Sequence, residues 1–133
     1  MQAELAKVIE SYHKRNQSLV VEGVHLTVKF LKEMMSKYPT CIPFVLYIKK
    51  KNKHAERFAV RAKHMTIDPK FNKYIGSIKS IRTIQDYLIK KSEEVLIPRV
   101  ENLNVDRSVS LIQTTIMRSL HKISEGSIIY DQQ

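Results

Sequence analysis

Glu22 closes a short apolar run, Leu19-Val20-Val21-Glu22-Gly23-Val24-His25-Leu26, and a carboxylate in that position suits phosphoryl transfer. Such chemistry needs charge neutralisation and in-line positioning more than covalent help, so an acid at a strand end can hold Mg²⁺ through water or orient an attacking hydroxyl. The alternative is a surface glutamate at a strand end. His25, three residues on, could touch a substrate oxygen or lead into the next helix. Arg57 and Arg61 stand four apart in Asn52-Lys53-His54-Ala55-Glu56-Arg57-Phe58-Ala59-Val60-Arg61-Ala62-Lys63-His64. They therefore project from one helical face, where forked guanidiniums suit phosphate oxyanions. His54 and His64 extend this stripe, and Phe58, Ala59 and Ala62 form a separate apolar side. A solvated basic face is the plainer account of such a helix taken alone. Arg82 and Gln85 share a later helical face with Lys79, offering a second phosphate contact. In Pro98-Arg99-Val100-Glu101-Asn102-Leu103-Asn104, side chains such as Asn102 could meet a purine edge, while Asn104 or Asp106 could cap the following helix.

Other chemistries fit less well. The three glycines, Gly23, Gly76 and Gly126, complete no G-x-x-x-x-G-K-[ST] pattern that would cradle phosphates. None of the five histidines pairs with Cys41 or a motif acid at metal-ligand spacing. Cys41 precedes an apolar run and reads as a small core residue. The run Lys49-Lys50-Lys51-Asn52-Lys53-His54 is either a solvated strand end or faces phosphate. A formal charge of +10 admits nucleic acid, a membrane surface or phosphate-rich metabolites as partners, yet aromatics are not interleaved with the basic residues as on a single-strand platform. Nucleic acid is accordingly the weaker expectation.

These groups must be positioned by a chain of 133 residues, the size of one domain. Apolar spacing predicts a helix over residues 3–14, a buried strand at 19–24 and a helix capped by Thr27 that stops before Pro39. A second strand is predicted at 44–48, a helix capped by Asn52 through about Met65, and another helix marked by Ile78, Ile81, Ile84, Leu88 and Ile89. The segment 95–100 is the third apolar run, and the last helix starts near Asp106, with a frayed tail after Gly126. Strands rich in valine, isoleucine and leucine are those buried on both faces of a parallel sheet, so the fold class is α/β. A lone cysteine and an opening without a basic or apolar leader predict a reducing, cytoplasmic setting. No stretch is apolar enough to span a membrane.

Five segments occur in one order: Glu22-Gly23-Val24-His25-Leu26, Arg57-Phe58-Ala59-Val60-Arg61-Ala62-Lys63, Phe71-Asn72-Lys73-Tyr74, Ile81-Arg82-Thr83-Ile84-Gln85-Asp86-Tyr87-Leu88 and Ile97-Pro98-Arg99-Val100-Glu101-Asn102. Together they resemble the carboxyl-terminal half of the archaeal 2-phosphoglycerate kinase family, and more closely its plant and protist relatives, the low-phytic-acid P-loop proteins linked to inositol phosphate metabolism. The resemblance covers about residues 17–122. It implies a three-layer P-loop kinase-like fold, incomplete here, with parallel strands flanked by helices. It also implies transfer of the ATP γ-phosphate, with Mg²⁺, to a small phosphorylated acid or polyol. Glu22 then matches the acid after the third strand, holding Mg²⁺ through water, Arg57 and Arg61 match the lid arginines, and His25 and Arg82 face substrate. Asn102 falls to the nucleotide.

The family's first strand, its phosphate loop and its second strand have no counterpart in this sequence. The resemblance therefore implies one domain truncated to its carboxyl-terminal part: residues 1–16 an amino-terminal helix, 17–122 the family-like region and 123–133 a flexible tail. Without the central strand, the segments at 19–23 and 44–48 would pair directly, borrow a strand from another copy as a homo-oligomer, or leave backbone groups unsatisfied. The alternative is a non-catalytic module that binds phosphorylated metabolites or a protein partner through its basic face.

Overall fold

A computed structural model describes residues 1–65 and 73–131. Phe71 and Asn72, part of the third motif segment, lie outside the described residues. The chain divides into two compact units, Met1–Pro43 with Thr114–Gln133, and Phe44–Gln113.

In the first unit, α1 (Gln2–Lys14) carries Glu4 in its first turn and Lys14 in its last, both matched to the helix dipole. Its apolar stripe is only half-buried, and no residue of this helix is fully buried. Helix α2 (Val28–Lys37) starts as the sequence predicts, the Thr27 hydroxyl accepting from the Phe30 N–H at 3.2 Å. It ends with Tyr38 extended at φ −128°, ψ 102°, the conformation a following proline imposes. Val28, Phe30 and Met34 form the buried centre of this unit.

The expected first strand is absent. Residues 17–23 have no regular structure, with Val20 93 % and Val24 83 % exposed. Valine-rich composition favours extended backbone, but a strand persists only when a neighbour takes up its N–H and C=O groups, and no described segment does so here.

The second unit is built on a parallel pair, β1 (Val45–Tyr47) and β2 (Arg99–Glu101), in the register Val45↔Arg99, Leu46↔Val100, Tyr47↔Glu101. Val45 N–H donates to the Pro98 carbonyl at 3.0 Å and Asn102 N–H to the Tyr47 carbonyl at 2.7 Å. A parallel pair needs a helical crossover, supplied by α3 (Lys51–His64), the short α4 (Lys73–Gly76) and α5 (Ile78–Glu94), which packs on β1. The fold is thus mixed helix and strand with a parallel sheet, consistent with an α/β class.

Two boundaries differ from expectation. Helix α3 begins at Lys51, so Asn52 lies inside it, accepting from its neighbour's N–H (Lys53, 2.9 Å), and Lys50 takes the cap position without a side-chain bond. Strand β2 begins only at Arg99, because α5 closes through Leu96 in a left-handed conformation (φ 59°), with Leu96 N–H on the Glu93 carbonyl and Ile97 N–H on that of Ser92. Helix α6 (Val105–Asp131) follows, and Asn104 caps it, its Oδ1 accepting from Arg107 N–H at 3.0 Å. Among the described residues of this unit, Val45, Ala62, Ile97 and Val100 are the buried apolar ones.

Candidate functional site

The carboxyl end of a parallel pair is where an α/β unit collects its functional groups, and three of the six expected site residues, Arg57, Arg82 and Asn102, gather around that end of β1 and β2. Arg82, at the second turn of α5, points its guanidinium at the chain leaving β1. Nη1 bonds the Ile48 carbonyl, and Nη2 donates to the Lys49 carbonyl at 2.7 Å. Gln85, one turn further on and buried, forms a two-point clamp on the same residue. Ile48 N–H donates to Oε1 at 2.9 Å, and Nε2 donates to the Ile48 carbonyl at 3.0 Å. The amide thus stands in for a neighbouring strand at the point where β1 ends.

Arg57, exposed on α3, donates through Nη2 to the Leu103 carbonyl at 2.7 Å, which ties this helix to the loop after β2. Asn102, next to Leu103, is half-buried. Its side-chain Oδ1 accepts from the buried Ser108 hydroxyl at 3.3 Å. Arg61, one turn beyond Arg57, lies 5.5 Å from the Tyr74 ring centroid, a cation–π distance. The structure therefore brings Arg57 and Asn102 to one loop and sets Arg82 at the end of the adjoining strand. Glu22 and His25 belong to the first unit, where both are exposed. The His25 carbonyl accepts from Gln2 Nε2 at 3.0 Å.

His54 departs from the basic stripe to which its spacing assigned it. Its ring is 8 % exposed and stacks on Phe58 with centroids 4.9 Å apart, and Phe58 stacks on Tyr74 at 5.2 Å. Nδ1 is buried with no hydrogen-bond partner among the described residues. Burial, and to a lesser degree the Arg82 charge, lowers the affinity of this imidazole for a proton below the ordinary range. Burial also pushes the Cys41 thiol up, which disfavours a thiolate.

The sequence reading missed the structural work of Gln85 and the burial of His54 and Ser108. Gln85 carried a signal. It falls between Ile81 and Leu88 on the apolar stripe of its helix, where an unpaired polar side chain is costly. Among the described residues no group of three or more histidine, cysteine or acidic side chains is arranged to hold a metal ion, and no helix is long and apolar enough to cross a membrane.

The chain is similar to archaeal 2-phosphoglycerate kinases. It is 30% identical to the 2-phosphoglycerate kinase of Methanopyrus kandleri over 104 residues, which are 78% of this chain and 32% of that protein. To the enzyme of Pyrococcus furiosus it is 28% identical over 116 residues, 87% of this chain and 37% of the other. An uncharacterized protein of Dictyostelium discoideum is 44% identical over 127 residues, 95% of this chain but 15% of its own length. The chain thus spans well under half the length of each of these relatives. No family model matches it. No solved structure matches either.

Proposed function

We propose that this chain is part of an ATP-dependent small-molecule kinase resembling 2-phosphoglycerate kinase, acting on a phosphorylated acid or polyol. The observation that carries the proposal is Arg57, whose guanidinium rests on the Leu103 carbonyl beside Asn102 and so sits at the mouth of the parallel pair. A guanidinium held there by one N–H keeps others for phosphate oxygens. Similarity to archaeal 2-phosphoglycerate kinases supports the reaction class.

In this proposal Arg57 and Arg61 stabilise charge on the transferring phosphoryl group, and Arg82 and His25 contact the phosphorylated acceptor. Asn102 meets the nucleotide, and ATP is the cosubstrate. Glu22 is a hard oxygen donor on exposed backbone. A single carboxylate completed by water is a usual way to hold Mg²⁺, so its chemistry fits that ion. Bound there, Mg²⁺ would neutralise charge developing between the phosphates.

A non-catalytic module for phosphorylated metabolites is the second possibility, favoured by the sequence's having no G-x-x-x-x-G-K-[ST] segment. Phosphate transfer from ATP to 2-phosphoglycerate, measured on this chain joined to an upstream phosphate-loop segment, separates the two. The kinase proposal expects turnover that Arg57→Ala and Glu22→Gln each lower by about a hundredfold. Turnover unchanged in both variants would remove the assigned roles, and binding without turnover would leave the module.

A further inference from the structure

We propose that the turn from β1 into α3 is a binding site for the phosphate or diphosphate group of a small soluble molecule, held by the backbone N–H groups of Lys51 and Asn52, by His54 Nδ1 and by the Arg82 guanidinium. The proposal shares Arg82 with the kinase reading but does not depend on it, because it stands whether or not the chain transfers phosphate.

The amino end of α3 is charged against its own dipole. Lys51 and Lys53 occupy the first turn, Lys49 and Lys50 precede them, and the turn contains no acid. Cations at the positive end of a helix destabilise it, whereas an anion there is stabilised by the dipole and by free N–H groups. Lys50 supplies no side-chain cap, and the N–H groups of Lys51 and Asn52 have no partner among the described residues. The one carboxylate on this helix, Glu56, is paired with Lys53 at 3.0 Å on exposed surface.

The second observation is independent of the helix end. His54 is 8 % exposed and its Nδ1 has no partner among the described residues, a condition that destabilises a fold. His54 closes the first turn of α3, its N–H on the Lys50 carbonyl at 3.1 Å, and a helical side chain leans toward the amino end of its helix. Arg82 borders the same turn, because its two bonds go to the carbonyls of Ile48 and Lys49, the residues that lead into α3. An imidazole nitrogen, unused guanidinium N–H groups and two backbone N–H groups therefore border one turn that contains no acid. This is the donor set of a phosphate oxyanion. Entry requires the side chains closed over Nδ1 to move, and the neighbouring lysines 49, 50 and 51 are exposed.

The test is titration of the whole ¹⁵N-labelled chain with inorganic pyrophosphate at constant ionic strength. Saturable shifts are expected at the amides of Lys51 and Asn52. Lys51→Pro removes one N–H at a position where proline fits, since Lys50 already has the extended backbone (φ −85°, ψ 124°) that must precede it. This variant should weaken binding about tenfold, whereas Lys63→Ala, which removes a charge from the other end of the helix, should weaken it less than about twofold. Equal weakening by the two variants, or no saturable shift, would overturn the site. So would binding to polyuridine alone, which would assign the charge to nucleic acid. Co-sedimentation with phosphatidylinositol 4-phosphate vesicles, lost in Lys51→Pro, would keep the site but give its phosphate a lipid source. Protein left in the supernatant assigns a soluble one.

Discussion

His54 shows how one side chain can couple stability to pH. Its folded-state proton affinity is depressed, first by burial and then by Arg82, below the ordinary value of 6.5 that the unfolded chain retains. The unfolded state therefore binds the proton more readily. The stability that depends on neutral His54 is fully present above pH 6.5 and is lost as the pH falls from there through the folded value. Urea unfolding of the parent chain should show a midpoint that drops between neutral pH and about pH 5, and His54→Phe, which can still stack on Phe58, should drop less. Parallel curves for the two proteins would mean that His54 does not titrate across this window.

Among the elements, α5 ends against a conformational preference. Leu96 adopts φ 59° with its side chain 87 % exposed, so it accepts left-handed strain and buries little in return. An L-residue there is strained by about 1–2 kcal/mol, part of which glycine returns as greater freedom of the unfolded chain. Leu96→Gly should raise stability by about 0.5–1 kcal/mol in urea unfolding. A loss instead would show that the leucine side chain is packed. The same turn marks what the sequence could and could not convey. The helices were legible because Thr27 and Asn104 are local caps and the apolar periods are long. The start of β2 was not, because leucine gives no sign of a left-handed residue. Residues 19–24 have a strand's composition, but pairing is a property of a neighbour, and composition does not reveal one. His54 was assigned by its spacing of three to Arg57, although its spacing of four to Phe58, repeated from Phe58 to Ala62, marks the buried line. The acceptor of Arg57 is a backbone carbonyl forty-six residues away, which leaves no trace in residue types.

For the whole molecule, a thin core and a high charge oppose each other. Val28, Phe30 and Met34 are buried in one unit, and Val45, Ala62, Ile97 and Val100 in the other, while Leu19, Val20, Val21 and Val24 remain exposed on unpaired backbone. Leu46 adds to this. Val45 and Tyr47 turn their backbone groups toward β2, so those of Leu46 face outward on an edge that no other described strand covers. Exposed β-prone segments and free edges are the usual templates for association between copies. A charge of +10 on each copy resists such contact at low salt. Raising the ionic strength shortens the screening length from about 10 Å at 0.1 M to about 3 Å at 1 M, so light scattering should rise with salt. Replacing both Val20 and Val24 with threonine should suppress that rise and leave the urea midpoint within about 0.5 kcal/mol of the parent, since both side chains are exposed. Scattering that rises equally in the variant would place the association elsewhere. A stability loss above about 1 kcal/mol would mean that these valines are packed in solution.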